Sequence, residues 1–226
     1  KCKDCEVPLL YHKKEKLLLC HHCTFKSVSL RVCIKCKGVN LRFLGVGIEK
    51  VKGELEKLGL KKVKTSTLKK NLPRADVVGV VTLDNILNMP DFRSSERAFQ
   101  VLIRLNNHAE KKLIIQTFNP EHHIFDVNNF YRQELTLRKA FAYPPFSALI
   151  KLTYKNKNPY RAKTEALRFS KLLPPFLGPA PAAIPKLRGY YLWNLVYKNT
   201  KETKTALREA KLPRGWIIDV DPLNLL

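Results

Sequence analysis

All six cysteines of the chain lie within its first 36 residues, in three C-x2-C pairs: Cys2/Cys5, Cys20/Cys23 and Cys33/Cys36. A C-x2-C turn presents both sulfurs to one side, and two such turns form the tetrahedral thiolate cage that zinc prefers. The C-x2-C-x14-C-x2-C spacing of the first two pairs therefore predicts one complete zinc-ribbon site. Because four thiolates complete this cage, we expect His12, His21 and His22 to face solvent.

The third pair, Cys33 and Cys36, has no fourth pair in the chain with which to complete a second site. We expect that its partner pair precedes Lys1, or that the half-site is vestigial. Since the first residue is Lys, we also expect this sequence to be the C-terminal part of a longer protein, or a processed or trimmed product. A disulfide-linked knot is the alternative, but such knots distribute their cysteines along a short secreted chain.

The charge of the chain is strongly positive, with 42 Lys and Arg residues against 19 Asp and Glu residues, a formal net charge of +23. Such an excess favours a polyanionic partner, and nucleic acid comes first because phosphate contacts release condensed counterions. A Lys-rich genomic composition is the alternative. No stretch approaches the apolar length of a membrane span, and thiolate ligands favour a reducing compartment. We therefore expect a cytoplasmic protein with no membrane partner.

The hydrophobic periodicity predicts an α/β region followed by a smaller α+β region. A continuous β-branched run at 77–83 is typical of a strand buried on both faces of a parallel sheet. The other predicted elements are helices at 49–58, 94–105 and 130–141, a strand at 113–118, and a loop at 61–74. Two prolines, at 144 and 145, cannot continue a helix and mark a boundary.

The last eighty residues follow a β-α-β-α-β order, with strands at 148–154, 190–197 and 216–220. A helix begins at Asn158, which is followed by proline at the first helical position, and a second helix spans 200–211. Two helices on one face of a small sheet predict a ferredoxin-like α+β sandwich.

Several motifs occur in one order behind the cysteine array and resemble one family. They are CHHC at 20–23, DFRSSER at 91–97, IQTFNPEH at 115–122, YPPF at 143–146, LGPAPA at 177–182 and DVDP at 219–222. This ordered set resembles the bacterial PriA family (primosomal protein N′), which acts in replication restart as a DNA helicase. The resemblance extends over essentially the whole chain.

The resemblance implies three domains. They are a zinc-binding module at 1–40, a shortened RecA-like helicase lobe 2 at 41–146, and a C-terminal DNA- and partner-binding domain at 147–226. It also implies that the first four cysteines hold one zinc ion, and that Cys33 and Cys36 share another with a preceding pair. The implied partners are DNA forks and single strands, primosome proteins and single-strand-binding protein, in the nucleoid of a bacterial cell.

The helicase region departs from the family pattern. The segment 59–76 is shorter than its counterpart, and His108 and Lys111 stand where the family has the two arginines that contact the γ-phosphate. Lysine lacks the planar, bidentate guanidinium of arginine. The chain also contains no Gly-x4-Gly-Lys-Ser/Thr phosphate-binding loop. We therefore expect no ATP hydrolysis by this chain alone, and no catalytic residue within it.

A basic and aromatic segment at 186–193 resembles the family's C-terminal strand. Lys186 and Arg188 are candidates for phosphate contacts, and Tyr190 and Trp193 for base stacking, although a core position is favoured for Trp193. Three functions follow as hypotheses. The first is a replication-restart protein that binds branched DNA without ATPase activity. The second is part of an active 3′→5′ helicase, and the third is a zinc-ribbon scaffold that contacts only proteins.

Overall fold

The computed structural model describes residues 2–12, 17–20, 23, 25–28, 32, 38, 47–60, 62–68, 72–210 and 212–225. The chain divides into two compact units. One joins residues 1–41 to residues 138–226, and the other spans 42–137. The predicted zinc module and C-terminal domain thus belong to a single unit. Among the described residues, no helix combines the length and apolarity needed to cross a membrane.

The cysteine-rich end forms a three-stranded antiparallel meander of very short strands. These are β1 (Leu10–His12), β2 (Leu17–Leu19) and β3 (Lys26–Val28). Neighbouring strands pair in order, with Leu10 opposite Leu19 and Leu17 opposite Val28. Strands of three residues bury little apolar surface, so this ribbon depends on its cysteine cluster for stability.

The second unit contains helices α1 (Ile48–Lys57), α2 (Asp84–Leu87), α3 (Ser94–Asn106) and the start of α4 (Phe130–Ala140), with strands β4 (Ala75–Val80) and β5 (Ala109–Ile115). The predicted helices at 49–58, 94–105 and 130–141 are confirmed within one residue at each end, whereas the short helix α2 was not predicted. A 3-10 turn, His123–Phe125, precedes α4. Residues 62–68 and 72–74 contain no helix or strand, as predicted.

The sheet of the second unit is parallel, as predicted, with Val78 opposite Leu113. The prediction that its first strand is buried on both faces is wrong, because the side chains of Val77 and Ile114 are each 51% exposed. The described sheet has two strands, and a single apolar cluster covers one of its faces. That cluster is built on Leu83, Ala98, Leu102, Ile124 and Phe130.

The C-terminal fold contains β6 (Leu149–Asn156), α5 (Pro159–Leu172), β7 (Leu177–Leu187), β8 (Tyr190–Lys198), α6 (Lys201–Glu209) and β9 (Trp216–Val220). The strands form an antiparallel sheet in the order β7-β8-β6-β9. This βαββαβ arrangement confirms the ferredoxin-like sandwich. The predicted βαβαβ string was wrong, because it lacked β7. That strand carries Pro179, Pro181 and Pro185 and lies at the sheet edge, where proline is tolerated.

Both faces of this sheet are partly buried, which explains why β6 does not alternate between buried and exposed positions. One face packs against the helices through Ile150, Leu152, Ala166, Phe169, Leu195, Tyr197 and Leu207. On the other face, Lys151 is buried and donates from Nζ to the Asn224 carbonyl at 3.0 Å. Asn158 caps α5 by accepting from the Arg161 amide, as predicted from the Asn-Pro pair.

Candidate metal centre and nucleic-acid interface

Four cysteine sulfurs meet at one point of the ribbon. The Sγ atoms of Cys2, Cys5, Cys20 and Cys23 all lie within 4.8 Å of one another, and those of Cys2 and Cys23 are 3.4 Å apart. A tetrahedral zinc ion with Zn–S distances of about 2.3 Å requires sulfurs about 3.8 Å apart. The cluster therefore fits a four-thiolate zinc site, and a full set of protein ligands leaves no open position for catalysis.

Main-chain hydrogen bonds shape the two turns that carry these sulfurs. The Cys2 amide donates to the Val7 carbonyl, and the Cys20 amide donates to the Phe25 carbonyl, both at 2.8 Å. The Asp4 amide points at the Cys2 Sγ atom, 3.3 Å away. Amide donors of this kind orient thiolate ligands and offset part of their charge.

The cluster is mostly shielded from solvent. The side chains of Cys2, Cys5 and Cys20 are buried, whereas Cys23 is partly exposed. Burial is the main factor that raises the pKa of the Cys5 thiol, to about 12, and the neighbouring Cys23 adds to it. Without an ion, Cys5 therefore remains a neutral thiol at neutral pH, and zinc binding must displace its proton.

Cys33 and Cys36 lie outside the described residues, as do His21, His22 and the side chain of His12.

The ribbon packs against strand β7 of the ferredoxin-like domain. Ile184 of β7 contacts the cysteine cluster, together with Leu9 and Phe25 of the ribbon. The Lys186 Nζ donates to the Lys3 carbonyl at 3.2 Å, within the turn between the first two cysteines. No local residue pattern indicates this contact, because it joins residues 183 positions apart.

A basic and aromatic cluster surrounds the turn between β7 and β8. Arg188 and Gly189 form this turn, with φ angles of +49° and +82°. Tyr190 follows, and the ammonium groups of Lys155 and Lys157 lie 5.7 and 5.8 Å from its ring centroid. The two lysines and Arg188 are exposed. The sequence pattern pointed to Arg188 and Tyr190 but not to the two lysines, which flank Asn156 at the end of β6.

The remaining two predicted nucleic-acid contacts have intramolecular partners. Lys186 lies 5.1 Å from the Tyr191 ring centroid, in addition to its bond to Lys3. Trp193 packs against the helix-facing core of the sheet, which is the position that the sequence analysis favoured for it.

Two family models match the unit formed by residues 1–41 and 138–226, one in each of its two segments. Residues 2–27 match the Cys-rich region (CRR) domain of the PriA DNA helicase, and residues 139–223 match the C-terminal domain of primosomal protein N. The chain belongs to the PriA family. The match to the Cys-rich region and the gathered sulfurs support zinc as the ion of the ribbon.

Relatives named replication restart protein PriA align with the entire chain or nearly so. The protein from Thermotoga maritima is 31% identical over 100% of this chain and 37% of its own length. The Synechocystis protein is 30% identical over 99% and 34%, and the Borreliella burgdorferi protein is 27% identical over 100% and 43%. The chain thus spans about two fifths of these relatives or less. The alignment with the Borreliella protein extends over 283 positions, whereas this chain has 226 residues. Within the aligned region, the Borreliella protein therefore has residues that have no counterpart in this chain.

His108 and Lys111, the two positions that the resemblance predicts to replace γ-phosphate-contacting arginines, lie in the second unit. Lys111, on β5, forms an exposed ion pair with Asp76, at 2.7 Å between Nζ and Oδ2. His108 lies in the turn before β5, and its buried Nδ1 has no hydrogen-bond partner in the part of the chain that the structure describes. The side chain of Lys111 is thus held by a neighbouring carboxylate.

Proposed function

We propose that the chain acts in replication restart by binding DNA at stalled or branched forks, without ATPase activity of its own. The observation that carries this proposal is the cluster of Lys155, Lys157, Arg188 and Tyr190 at one end of the ferredoxin-like sheet. The net charge of +23 and the relatives named replication restart protein PriA support it.

The cluster combines the two chemistries that single strands require. Cationic side chains neutralise phosphates, while an aromatic ring provides a stacking surface for any base. We propose Arg188, Tyr190, Lys155 and Lys157 as direct contacts. Such contacts read backbone and base faces, so they favour unpaired DNA without favouring a sequence.

We propose that Cys2, Cys5, Cys20 and Cys23 hold one zinc ion with a structural role. Cys33 and Cys36 are proposed to contribute to a second site with a further cysteine pair. On this proposal the domains run 1–40 for the zinc module, 41–146 for a shortened helicase lobe 2, and 147–226 for the DNA- and partner-binding domain. Primosome proteins and single-strand-binding protein are the proposed partners.

The test is equilibrium binding of the chain to a labelled three-way fork, a single strand and plain duplex, each titrated with salt. We expect fork and single strand to bind more tightly than duplex at physiological salt. Binding that is equal for all three and collapses as salt rises would contradict the proposal. It would leave general attraction to phosphate as the explanation.

Matched variants locate the interface. We expect the double variant K155Q/K157Q to reduce the slope of log affinity against log salt by about 2, one for each phosphate contact. The control K201Q/K204Q removes the same charge from exposed lysines of α6, beyond the far end of β8. Equal losses in the two variants would rule out a specific site at Tyr190.

A second candidate function is that of a segment of an active 3′→5′ helicase. It is favoured by the length of the relatives, which exceeds that of this chain more than twofold. Absence of DNA-stimulated ATPase activity in a protein that contains this chain would rule out this second function, and its presence would support it. Partner binding that is independent of salt, without DNA affinity, would indicate a protein-only scaffold instead.

A further inference from the structure

Strand β7 lacks a continuous partner within its own sheet. Its pairing with β8 shifts register between Pro181 and Lys186. The prolines at 179, 181 and 185 have no amide hydrogen to donate to a neighbouring strand. The middle of β7 therefore needs support from outside the sheet.

The ribbon supplies this support at the same stretch. Ile184, in the middle of the interrupted register, packs against the cysteine cluster. Two residues further on, Lys186 bonds the Lys3 carbonyl in the first cysteine turn. Asp4 and Cys23 of the ribbon then form a cleft of about 430 Å³ with Leu187, Arg188 and Gly189. Contact with the ribbon thus continues from the middle of β7 to its terminal turn.

The turn itself has a conformation that needs such support. Arg188 has a φ of +49°, in the left-handed region, at the first position of a two-residue turn that favours Asn, Asp or Gly. A side chain other than these in that region persists only where its surroundings hold it, and such residues concentrate at functional sites.

We infer that the zinc-loaded ribbon positions the β7–β8 turn for nucleic acid, with Ile184 and Lys186 as positioning residues. Affinity of the ferredoxin-like domain for single-stranded DNA then depends on the metal, although no metal ligand touches the DNA. This inference rests on the proposed function, and it changes the role of Lys186 from a phosphate contact to an anchor. Loss of the metal would free the short strands of the ribbon and, with them, the support of β7.

The first test measures the turn without DNA, so that its outcome is independent of the proposed function. Hydrogen exchange of the amides at 186–192 is compared between the zinc-loaded chain, the chelator-treated chain and Ile184→Ala with its zinc content verified. We expect faster exchange in the second and third samples, with exchange in α5 unchanged in the Ile184→Ala variant. Unchanged exchange at 186–192 in that zinc-loaded variant would overturn the inference, even if chelation unfolds the chain.

The second test uses binding to a labelled oligothymidine to separate anchoring from phosphate contact. Lys186→Met keeps the aliphatic stem and removes the donor. If Lys186 is a positioning residue, this substitution should lower the affinity for the oligothymidine roughly fivefold and leave the slope of log affinity against log salt unchanged. Removal of zinc from the variant should then cause little further loss of affinity. A slope lower by about 1, with the same loss in zinc-loaded and zinc-free chains, would assign Lys186 to a phosphate and overturn its anchoring role.

Discussion

The ferredoxin-like domain and the second unit, residues 42–137, each contain a small sheet, but the two sheets are buried to different extents. In the former, helices cover one face of four strands, and Leu152 and Leu195 are completely buried. In the latter, a single cluster covers one face of two described strands, and Val77 and Ile114 remain half exposed. The difference shows that a β-branched run predicts a strand, whereas the burial of that strand depends on which elements pack beside it.

The largest expected effect is loss of the ribbon site, which would test whether the first unit depends on metal. Cys20→Ser should abolish bound zinc at the first site and destabilise the ribbon by about 10 kcal/mol or more, the scale of structural zinc binding. Atomic emission spectroscopy measures the number of zinc ions bound per chain. Cys33→Ser is the control and should retain one ion per chain. An unchanged zinc content in Cys20→Ser would show that these four cysteines do not form the zinc site.

Two matched core truncations compare the units directly. Leu152→Ala and Leu83→Ala each remove a leucine that is no more than 1% exposed, one from each unit. Each should lower the free energy of unfolding of its own unit by about 2–5 kcal/mol, through lost burial and a cavity. Hydrogen exchange resolved along the chain measures both. A loss below 1 kcal/mol in either variant would show that the cavity collapses or that the site is not a core.

A carboxylate on α5 should make the first unit sensitive to acid. Both oxygens of Glu165 accept from Arg168 at 2.8 Å, and this contact holds the Glu165 pKa below its ordinary value of 4.5. A lowered folded-state pKa stabilises the fold above the unfolded pKa, and this contribution is lost as pH falls through the folded value. Glu165→Gln should therefore cost at most about 1 kcal/mol at pH 7, because Arg168 is 56% exposed.

The measurement is urea unfolding followed by tryptophan fluorescence, since both tryptophans lie in the ferredoxin-like domain. The difference between the parent chain and Glu165→Gln should shrink as pH falls below the ordinary glutamate pKa and vanish below the lowered pKa of Glu165 in the folded state. A difference that persists unchanged at pH 3 would exclude the ion pair as its origin.

The smallest effect is expected at the uncovered face of the second unit. Val77→Thr keeps the branched side chain and should change the free energy of unfolding by no more than about 0.5 kcal/mol, as is usual for exposed sites. Hydrogen exchange of β5 provides the readout. A loss above 1 kcal/mol would mean that this face is covered in solution, which would remove the contrast between the two units.

Much of the fold followed from local patterns. Asn158 with its proline predicted the start of α5, and the spacing of the cysteines predicted that four sulfurs would meet. Strand β7 escaped prediction because its prolines contradict strand propensity, and only an edge position with outside support tolerates them. The burial of β4 was overestimated, because a β-branched run does not reveal how many strands or helices lie beside it.

The sequence by itself determined the elements and chemistries that depend on short spacings: the thiolate cluster, the helix caps and the basic-aromatic turn at Arg188 and Tyr190. Tertiary structure decided the rest. It placed Lys155 and Lys157 around Tyr190, and it packed the ribbon against Ile184, across a separation of more than 150 residues. Contacts of this range depend on chain topology and packing, and no local residue pattern encodes them.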